Sequence, residues 1–555
     1  MRSPFLYLLF LGWHTQAIGA PLVQVLAEEL DRVNSELSNQ PDPPHWMAIN
    51  AVHKEEWSVE ALDGVTTTPS HTVDCIADLD VRVGTPQLDQ THKIRDAGWF
   101  DDDPKETFDL PVDGNDKAIR LAIWRAADSA YRQARKRLLK VKANLAVKVE
   151  ASDTSADFSA ADKQVSVLEP RAITVDIEQW RQTLKGISSR VNDHPEIEGN
   201  AFHFSAKSNT RFFVTTEGSQ LVLPEVRYRI SMSLSTTAKD GMRLQVYKDF
   251  FAFEESGLPR SAILEKEFEA AVQRLLALRD APVVEPTTAP AILKGRAAAV
   301  FFHEVLGHRI ESHRQKDDDE GQTFRERVGH PILPKFISVY DDPTQTFIDK
   351  TPLSGAYTHD DEGVASERVE VVKDGILLNF LTSRTPIEGF SKSNGHGRRQ
   401  SGYAVVSRQG NLMVQATQTV TRKQLRQLLL RELKRQQKPY GFIFEDITGG
   451  FTLTGRTTPN SFAVQPVGVT RVWADGKPDE LMRGADLIGT PLTAFAQIMT
   501  ASDTMETFNG YCGAESGYVN VSASAPDLLI REVEIQRSGK NHDRPPLLPA
   551  PRGQQ

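Results

Sequence analysis

The chain has 555 residues, enough for about three or four domains of ordinary size or for two large ones. Hydrophobic residues make up 39% and charged residues 25% of it, which excludes collagen-like, low-complexity and wholly disordered chains. The formal net charge of −9 gives no overall attraction for nucleic acid or anionic lipid, so we expect neither as a partner.

The first residues are typical of a signal peptide. Arg2 precedes an apolar run over residues 5–13, and small residues follow up to Ala20. The run is too short to span a bilayer, so no stable membrane anchor is expected. We predict a cleaved signal over residues 1–19 and an exported protein, periplasmic or extracellular. The alternative is a buried amino-terminal strand or helix, in which case the protein would be cytoplasmic.

Hydrophobic periodicity predicts helices and strands in the part that follows. The predicted helices are 22–37, 117–145 and 258–280, and the predicted strands include 220–231 and 243–253. In the helix over 117–145, an apolar seam runs from Trp124 to Leu145 in steps of three and four. Its outer face is basic, which is typical of a solvated helix face and only rarely of a phosphate-binding one.

The clearest domain boundary lies at residues 281–291, where Pro282, Pro286 and Pro290 prevent a helix. We therefore predict an amino-terminal domain over 20–285 and a carboxyl-terminal domain over 286–538. The second is mostly strand, with one helix over 422–437 that Thr421 and Gln424 would cap. The expected fold class is α+β, with helices on a sheet first, a mostly β domain second, and a disordered tail over 539–555.

The clearest indication of a catalytic or metal-binding site in the sequence is an HExxxH motif. His303, Glu304 and His308 end an apolar run that begins at Ala297, and chance alone would produce such a string about 0.05 times in this composition. Zinc binds imidazole nitrogens, and a neighbouring carboxylate can take a proton from water. Five residues turn an unbroken helix by about 140°, which would aim the histidines apart. Gly307 therefore predicts a π-bulge or a helix end that returns His308 toward His303.

Five ordered segments resemble the TldD/PmbA family of metallopeptidases. They are AVFFHEVLGHRIE at 299–311, HDDEG at 359–363, DGILLNFL at 374–381, GHGRR at 395–399 and GYCG at 510–513. The resemblance is close over about 286–538 and loose before it. It implies a zinc (Zn²⁺) site held by His303, His308 and Cys512, with Glu304 as the catalytic base and no other cofactor.

Independent chemistry supports Cys512 as the third ligand. A catalytic zinc site usually has three protein ligands, so the two histidines leave one ligand to be found. A thiolate binds zinc well. The flanking Gly510 and Gly513 allow backbone to come close. Alternatively Cys512 is a buried structural cysteine, a role for which Cys75 is better suited. Glu311 is a rival third ligand, or a hydrogen-bond partner of a histidine.

The resemblance also implies function and partners. Members enclose their site between two subunits and act on unfolded or extended peptides. We therefore expect a zinc metallopeptidase for unfolded or flexible polypeptides, assembled as a homodimer or as a heterodimer with a PmbA-like subunit. The alternative is a catalytically silent interaction subunit with a structural zinc, which would not require Glu304.

Weaker candidates lie in the other motifs. His396 and Tyr511 are candidate donors to an oxyanion. Arg398 and Arg399 could bind a peptide carboxylate, although structural ion pairs are favoured. A further acidic group precedes Gly363. It could be a second metal site, but a hydrated turn is the favoured interpretation. This group consists of His359, Asp360, Asp361 and Glu362.

Overall fold

Two large sheets make up most of the computed structural model, which describes residues 19–94, 105–147, 152–456 and 461–539. The first sheet has eight strands between residues 44 and 252, and the second has twelve between residues 287 and 537. Helices pack on the first sheet, whereas the second part is mostly strand. This confirms the predicted α+β class. The sheets lie on either side of the expected boundary at 285/286, and the exact domain limits stay a prediction.

The helices of the described residues are α1 (Gly19–Leu37), α2 (Asp116–Leu145), α3 (Ile177–Ser189), α4 (Ser261–Asp280), α5 (Gly295–Val305), α6 (His313–Lys316), α7 (Arg422–Arg435) and α8 (Pro491–Ala496). The strands of the first sheet are β1 (Pro44–Leu62), β2 (Val65–Thr66), β3 (Ser70–Val83), β4 (Glu106–Asp109), β5 (Val165–Val167), β6 (Gly199–Thr215), β7 (Gln220–Thr237) and β8 (Arg243–Ala252).

The later strands are β9 (Thr287–Leu293), β10 (Ile337–Asp341), β11 (Phe347–Ile348), β12 (Thr351–Pro352), β13 (Val369–Lys373), β14 (Ile376–Leu377), β15 (Gly397–Arg398), β16 (Val406–Ser407), β17 (Asn411–Ala416), β18 (Thr419–Val420), β19 (Tyr440–Leu453), β20 (Ser461–Trp473), β21 (Glu480–Met482), β22 (Ala485–Gly489), β23 (Ile498–Ala514) and β24 (Gly517–Arg537). Of these, β11 with β12 and β15 with β16 form separate two-stranded ribbons.

The first sheet has the strand order β4-β3-β1-β6-β7-β5, with β2 beside β1 and β8 beside β7. Its strands pair antiparallel except for β5 and β7. In the second sheet the path β24-β22-β20-β19-β9 closes on itself, because β9 also pairs with β24. The helix α5 packs against β9, β19, β20 and β24 of this ring. Four strands of the closed path therefore contact the helix that carries the HExxxH motif.

The long helix α2 differs from its prediction in one respect. Its buried stripe includes Ile119, Ile123, Tyr131, Leu138 and Val141. Trp124 and Leu145, predicted in the seam, are instead 51% and 40% exposed. Ile123 belongs to the buried stripe, and Trp124, the next residue, lies about 100° around the helix from it. Leu145 is the last residue of the helix, where burial ends.

The other predicted elements agree well with the structure. The helix predicted over 22–37 lies within α1, and that over 258–280 begins three residues later, as α4. The predicted strands correspond to parts of β7 and β8. The capping box at Thr421 and Gln424 is present at the start of α7. Residues 281–291 are not helical, and their last part forms β9.

Some predictions fall outside the described residues. The predicted signal peptide lies there except for Gly19, the first residue of α1, and so does the predicted tail beyond Gly539. Within the described part of the chain, no helix is long and apolar enough to cross a membrane. Cys75 and Cys512 are both free and buried.

Candidate metal centre

Ten of the eleven residues of α5 are buried, all but Arg296, and from Ala297 to Phe302 the helix is small or apolar all round. At its start, the Gly295 backbone N–H donates to Asp527 Oδ1 over 2.7 Å. A Cβ at Gly295 would lie 2.8 Å from the carbonyl oxygen of Ala525, so only glycine lets the helix begin this close to β24. The start of the helix is therefore fixed against β24, and its last turn carries His303 and Glu304.

The helix ends where Gly307 predicted an interruption. The α-helical part stops at Val305, and a 3₁₀ turn follows over Gly307–Arg309. This is the helix end, and not the π-bulge, of the two predicted forms. A Cβ at Gly307 would lie 1.9 Å from the Gln409 side chain, so glycine leaves room for the Gln409 amide. The change of direction brings the rings of His303 and His308 to a centroid distance of 5.1 Å.

Arg309 caps the end of α5, a role that the sequence did not reveal. Its Nη1 donates to the carbonyl oxygens of Glu304 at 2.9 Å and Val305 at 3.2 Å. Its Nη2 donates to the carbonyl of Leu453 on β19 over 3.3 Å. Burial lowers the pKa of Arg309 to about 10, below its ordinary value. The guanidinium thus satisfies free helix carbonyls and ties the motif to β19.

His303, His308 and Cys512 converge although Cys512 comes from β23. Cys512 Sγ lies 3.2 Å from His303 Nε2 and 3.4 Å from His308 Nε2. All three side chains are buried, and their ligand atoms lie within 4.8 Å of one another. Tetrahedral zinc with ordinary bond lengths would hold such atoms about 3.3–3.6 Å apart. The spacing and the donor types therefore fit a zinc ion.

The charges of the three side chains favour the ligand form of the cysteine. Burial raises the pKa of Cys512, but the imidazoles of His308 and His303 lower it by more, so that it falls well below its ordinary value. Burial lowers the pKa values of both histidines, yet the Cys512 thiolate raises them by more. A thiolate is the form of cysteine that binds metals.

Glu311 is the hydrogen-bond partner of a candidate ligand. Its Oε2 accepts from His308 Nδ1 over 3.1 Å, on the ring edge away from Cys512, and from Arg314 Nε over 3.1 Å. Burial raises the pKa of Glu311, but His308 and then Arg314 and Arg408 lower it to about 2. Of the two roles predicted for Glu311, this geometry favours the partner of a histidine over the third ligand.

Glu304 stands beside the three-residue cluster. Its Oε2 lies 3.9 Å from His308 Nε2, and its side chain is only 9% exposed. A Cβ on Gly450 of β19 would lie 2.6 Å from Glu304 Cγ, so glycine lets the strand pass directly over this carboxylate. Glu304 is therefore held between the candidate ligands and the backbone of β19.

A cavity of about 390 Å³ opens onto these side chains. Its walls come from α5, from the end of β19 and from the end of β23. Besides the cluster and Glu304, its lining includes polar and aromatic groups such as Arg314, Phe451, Thr452, Tyr511 and Glu515. A molecule in this cavity would contact the candidate metal site and the Glu304 carboxylate together.

A loop between β16 and β17 supports the cluster from behind. Arg408, which is fully buried, donates from Nη2 to the Cys512 carbonyl over 2.7 Å. Its Nε lies 3.5 Å from Glu311 Oε1. The neighbouring Gln409 donates to the His303 carbonyl over 3.4 Å. Sequence reasoning missed this loop, because an arginine between two short strands carries no periodic signal.

The two predicted oxyanion donors differ in position. His396 is fully buried and contacts Asn394 and Asp341 through its two ring nitrogens. It does not line the cavity, so the structure does not support it as an oxyanion donor. Tyr511 lines the cavity and is 53% exposed, with the Arg229 guanidinium 4.5 Å from its ring centre. Tyr511 alone of the two can reach a bound molecule.

The predicted arginine pair has the structural role that was favoured. Arg398 donates to the carbonyls of Gln409 and Asn520. Arg399 lies 3.7 Å from Asp78 and 3.5 Å from Asp80, both on β3. The Arg399 contacts fix the second half of the chain to the first sheet, whereas the Arg398 contacts lie within the second half.

The acidic group before Gly363 is a turn, as favoured, and two of its carboxylates are buried. Asp360 and Glu362 are buried and accept hydrogen bonds from main-chain N–H groups. Gly363 has φ +77, and a Cβ there would lie 2.4 Å from the Phe213 ring. The turn packs against Phe213 of the first sheet, and the Asp360 and Glu362 carboxylates accept hydrogen bonds from the backbone.

The chain is similar to known metalloproteases in sequence and to a solved structure in fold. Residues 286–537 match the PmbA/TldA metallopeptidase C-terminal domain. A metalloprotease of Methanocaldococcus jannaschii is 24% identical over 62% of this chain and 72% of its own length. A metalloprotease TldD homolog of Haemophilus influenzae is 26% identical over 63% and 69%. The crystal structure of TldE from Thermococcus kodakarensis has the same fold, with a TM-score of 0.59 and 13% identity over 93% of this chain and 100% of that one.

Proposed function

We propose that this chain, which belongs to the TldD/PmbA family of metallopeptidases, is a zinc-dependent peptidase that cleaves unfolded or extended polypeptides. The observation that carries the proposal is the group of His303, His308 and Cys512 beside Glu304 at the floor of an open cavity. One relative, from Saccharolobus solfataricus, is named a zinc metalloprotease.

The side chains have distinct parts in this reaction. His303, His308 and Cys512 hold the metal, which when bound makes water nucleophilic near neutral pH and polarises a peptide carbonyl. Glu304 takes the proton from the attacking water and returns it to the nitrogen of the leaving amine. Glu311 holds the ring of His308 through Nδ1 and so keeps Nε2 directed at Cys512. Tyr511 is the candidate donor to the developing oxyanion.

The position of Glu304 argues against a catalytically silent subunit. A structural zinc site is closed and needs no free carboxylate beside it. Here the carboxylate lines the same cavity as the three candidate ligands. A substrate that enters the cavity would meet metal and base together, which is the arrangement that hydrolysis requires.

The edge of β19 supports an extended peptide as the substrate. One edge of this strand pairs with β20, and the other pairs with β9 only at residues 442–444. Among the described residues no strand pairs with that second edge at 449–452, where β19 borders the cavity. An extended peptide can bind there through main-chain hydrogen bonds, with little demand on its side chains. A folded protein offers no such free strand.

This substrate class is tested by comparing one protein in two states. We expect cleavage of the denatured form and resistance of the native form, because only the former can add a strand to β19. The measurement is the loss of intact substrate over time for both forms at equal concentration. Equal rates on both forms, or cutting only at one short motif, would contradict binding through the main chain.

Arg408 provides a test of the metal site that does not depend on turnover. Arg408→Lys is expected to weaken zinc binding by about 10- to 100-fold, because lysine cannot bond the Cys512 carbonyl and approach Glu311 together. Arg384→Lys is the matched control, since Arg384 is equally buried but pairs with Glu217, away from the cluster. Zinc affinity is measured by competition with a chelator. An equal loss in both variants would show a general effect of burying lysine.

Assembly and compartment belong to the same proposal. The proposed partner is a second copy of this chain or a PmbA-like subunit, which would enclose the cavity. The proposed location is outside the cytoplasm, on the strength of the apolar run at residues 5–13.

A further inference from the structure

The strand β23 runs alongside α5, from the start of the helix to the candidate metal cluster. At the start, a Cβ on Gly295 would lie 2.8 Å from Glu506 Cβ of β23. At the other end, Cys512 Sγ of β23 lies 3.2 Å from His303 Nε2 of α5. Side chains of β23 that precede Cys512 therefore lie beside the earlier turns of α5, and those that follow it lie beyond the cluster.

The cavity is polar at the end beyond the cluster. Arg314 Nη1 donates to Thr454 Oγ1 over 3.2 Å, and Nη2 donates to Glu515 Oε2 over 2.8 Å. Arg314 also bonds Glu320, and Glu515 also pairs with His313. The charges of Arg314 and Glu515 are thus already paired, so this end does not select a substrate residue by charge.

The cavity is apolar at the opposite end, where Phe508 and Val300 line it. Phe508, Gly510 and Cys512 alternate along β23 and so share one face of the strand. A Cβ on Gly510 would lie 2.5 Å from Phe508 Cζ, so the phenyl ring extends over Gly510 toward Cys512. Val300 precedes Glu304 by four residues and lies about 40° from it around α5. An apolar wall therefore adjoins the candidate ligands and the base.

The Phe508 ring is held from two sides. It packs against the main core of the second sheet. The Arg296 guanidinium carbon lies 5.4 Å from the ring centre, and Arg296 Nε lies 2.8 Å from Asp446 Oδ1. This cation is also paired, so it does not attract a substrate carboxylate. A ring that is fixed in advance loses little freedom when a ligand side chain packs on it, which favours binding.

An extended peptide on the edge of β19 would present one side chain to this apolar wall. The face of β19 that carries Gly450 is turned to Glu304 of α5. A strand added to this edge continues the sheet, and every second side chain of it points to the same face. Of the two residues that flank the reacting bond, only one can therefore direct its side chain toward α5.

We propose that Phe508, Gly510 and Val300 form a subsite for one large apolar side chain next to the bond that is cut. This inference rests on the proposed peptidase function. The substrates are then apolar segments of unfolded polypeptides, cut with the apolar residue on one fixed side of the bond. Burial of that side chain supplies binding free energy that the paired charges do not. Folded proteins bury such residues, so the subsite and the edge of β19 favour the same substrates.

The first test uses the purified full chain with zinc and a set of unstructured peptides that differ at one central residue. This residue is leucine, phenylalanine, serine, glycine or aspartate. Cut sites are identified by mass spectrometry, and kcat/KM is measured for each peptide. We expect the leucine and phenylalanine peptides to be cut beside the varied residue, always on the same side, with kcat/KM about tenfold or more above the others. Equal rates, or cuts unrelated to the varied residue, would overturn the subsite.

A pair of variants of nearly equal size tests the Phe508 wall. Phe508→Leu keeps the wall apolar and should retain the preference for the leucine peptide over the serine peptide. Phe508→Gln makes it polar and should lower the ratio of the two kcat/KM values by about tenfold. The ratio is the readout because a general loss of fold lowers both rates together. Phe347→Gln is the control, since Phe347 is exposed, contacts Phe253 and does not line the cavity. An unchanged ratio in Phe508→Gln would contradict the assignment.

Peptide binding to the Glu304→Gln protein separates this inference from the proposed function. The apolar wall is unchanged in that variant, and bound peptides should stay intact. We expect the leucine peptide to bind with a Kd about tenfold below that of the serine peptide. This difference in affinity without cleavage by the native chain would overturn the peptidase function and leave the apolar subsite standing. Cleavage by the native chain with equal affinities and equal rates would overturn the subsite alone.

Discussion

Glu304→Gln is expected to lower peptide hydrolysis by about 10² or more, because the amide cannot accept the proton of the attacking water. Glutamine keeps the size of the side chain and its fit beneath Gly450. Since His303, His308 and Cys512 are unchanged, bound zinc should stay at the native level. The measurement pairs turnover of an unfolded polypeptide with metal analysis of the same preparation.

A matched substitution separates this effect from a general loss of structure. Glu445→Gln changes another glutamate near the same part of β19, where Glu445 pairs with Lys294 outside the cavity. It should retain native turnover. If Glu304→Gln also turned over at a near-native rate, another group would have to serve as the base, and the proposed mechanism would be wrong.

Cys512→Ala is expected to remove most of the bound zinc, since it takes one of three ligands and the only thiolate of the site. The bulk of the fold should persist, because the main cores of both sheets lie elsewhere. His303→Ala should have the same effect. The measurement is zinc per chain after dialysis, with unfolding followed by circular dichroism.

Cys75→Ala provides the control for the cysteine. Cys75 is also a free, buried thiol, but it packs in the core of the first sheet. Burial raises its pKa to about 12, so it has no thiolate to offer a metal. Zinc should be retained in this variant. Stoichiometric zinc in Cys512→Ala would instead make Glu311 the better third ligand.

Local features of the site could be predicted from the sequence. The five-residue spacing of the histidines required a change of direction, and Gly307 marked where it occurs. The apolar run that precedes the motif corresponds to most of the buried helix α5. In each case the physical cause lies within a few neighbouring residues, so the pattern of residue types was sufficient.

Contacts between distant segments could not be predicted in this way. Arg309 and Arg408 bond main-chain carbonyls. Every residue has such a carbonyl, so the sequence does not show which one an arginine will bond. The hydrogen bonds between the 317–321 loop and the chain just beyond β19 depend on the path of the whole second sheet. Trp124 shows the same limit within a helix, since periodicity fixes the spacing of a stripe but not which neighbouring residue completes it.

The most direct test measures zinc content and turnover of a denatured polypeptide on the same preparations of native protein, Glu304→Gln and Cys512→Ala. The account predicts about one zinc per chain with turnover in the native protein, zinc without turnover in Glu304→Gln, and neither in Cys512→Ala. Turnover that persists in metal-free Cys512→Ala protein would contradict a metallopeptidase built on these residues.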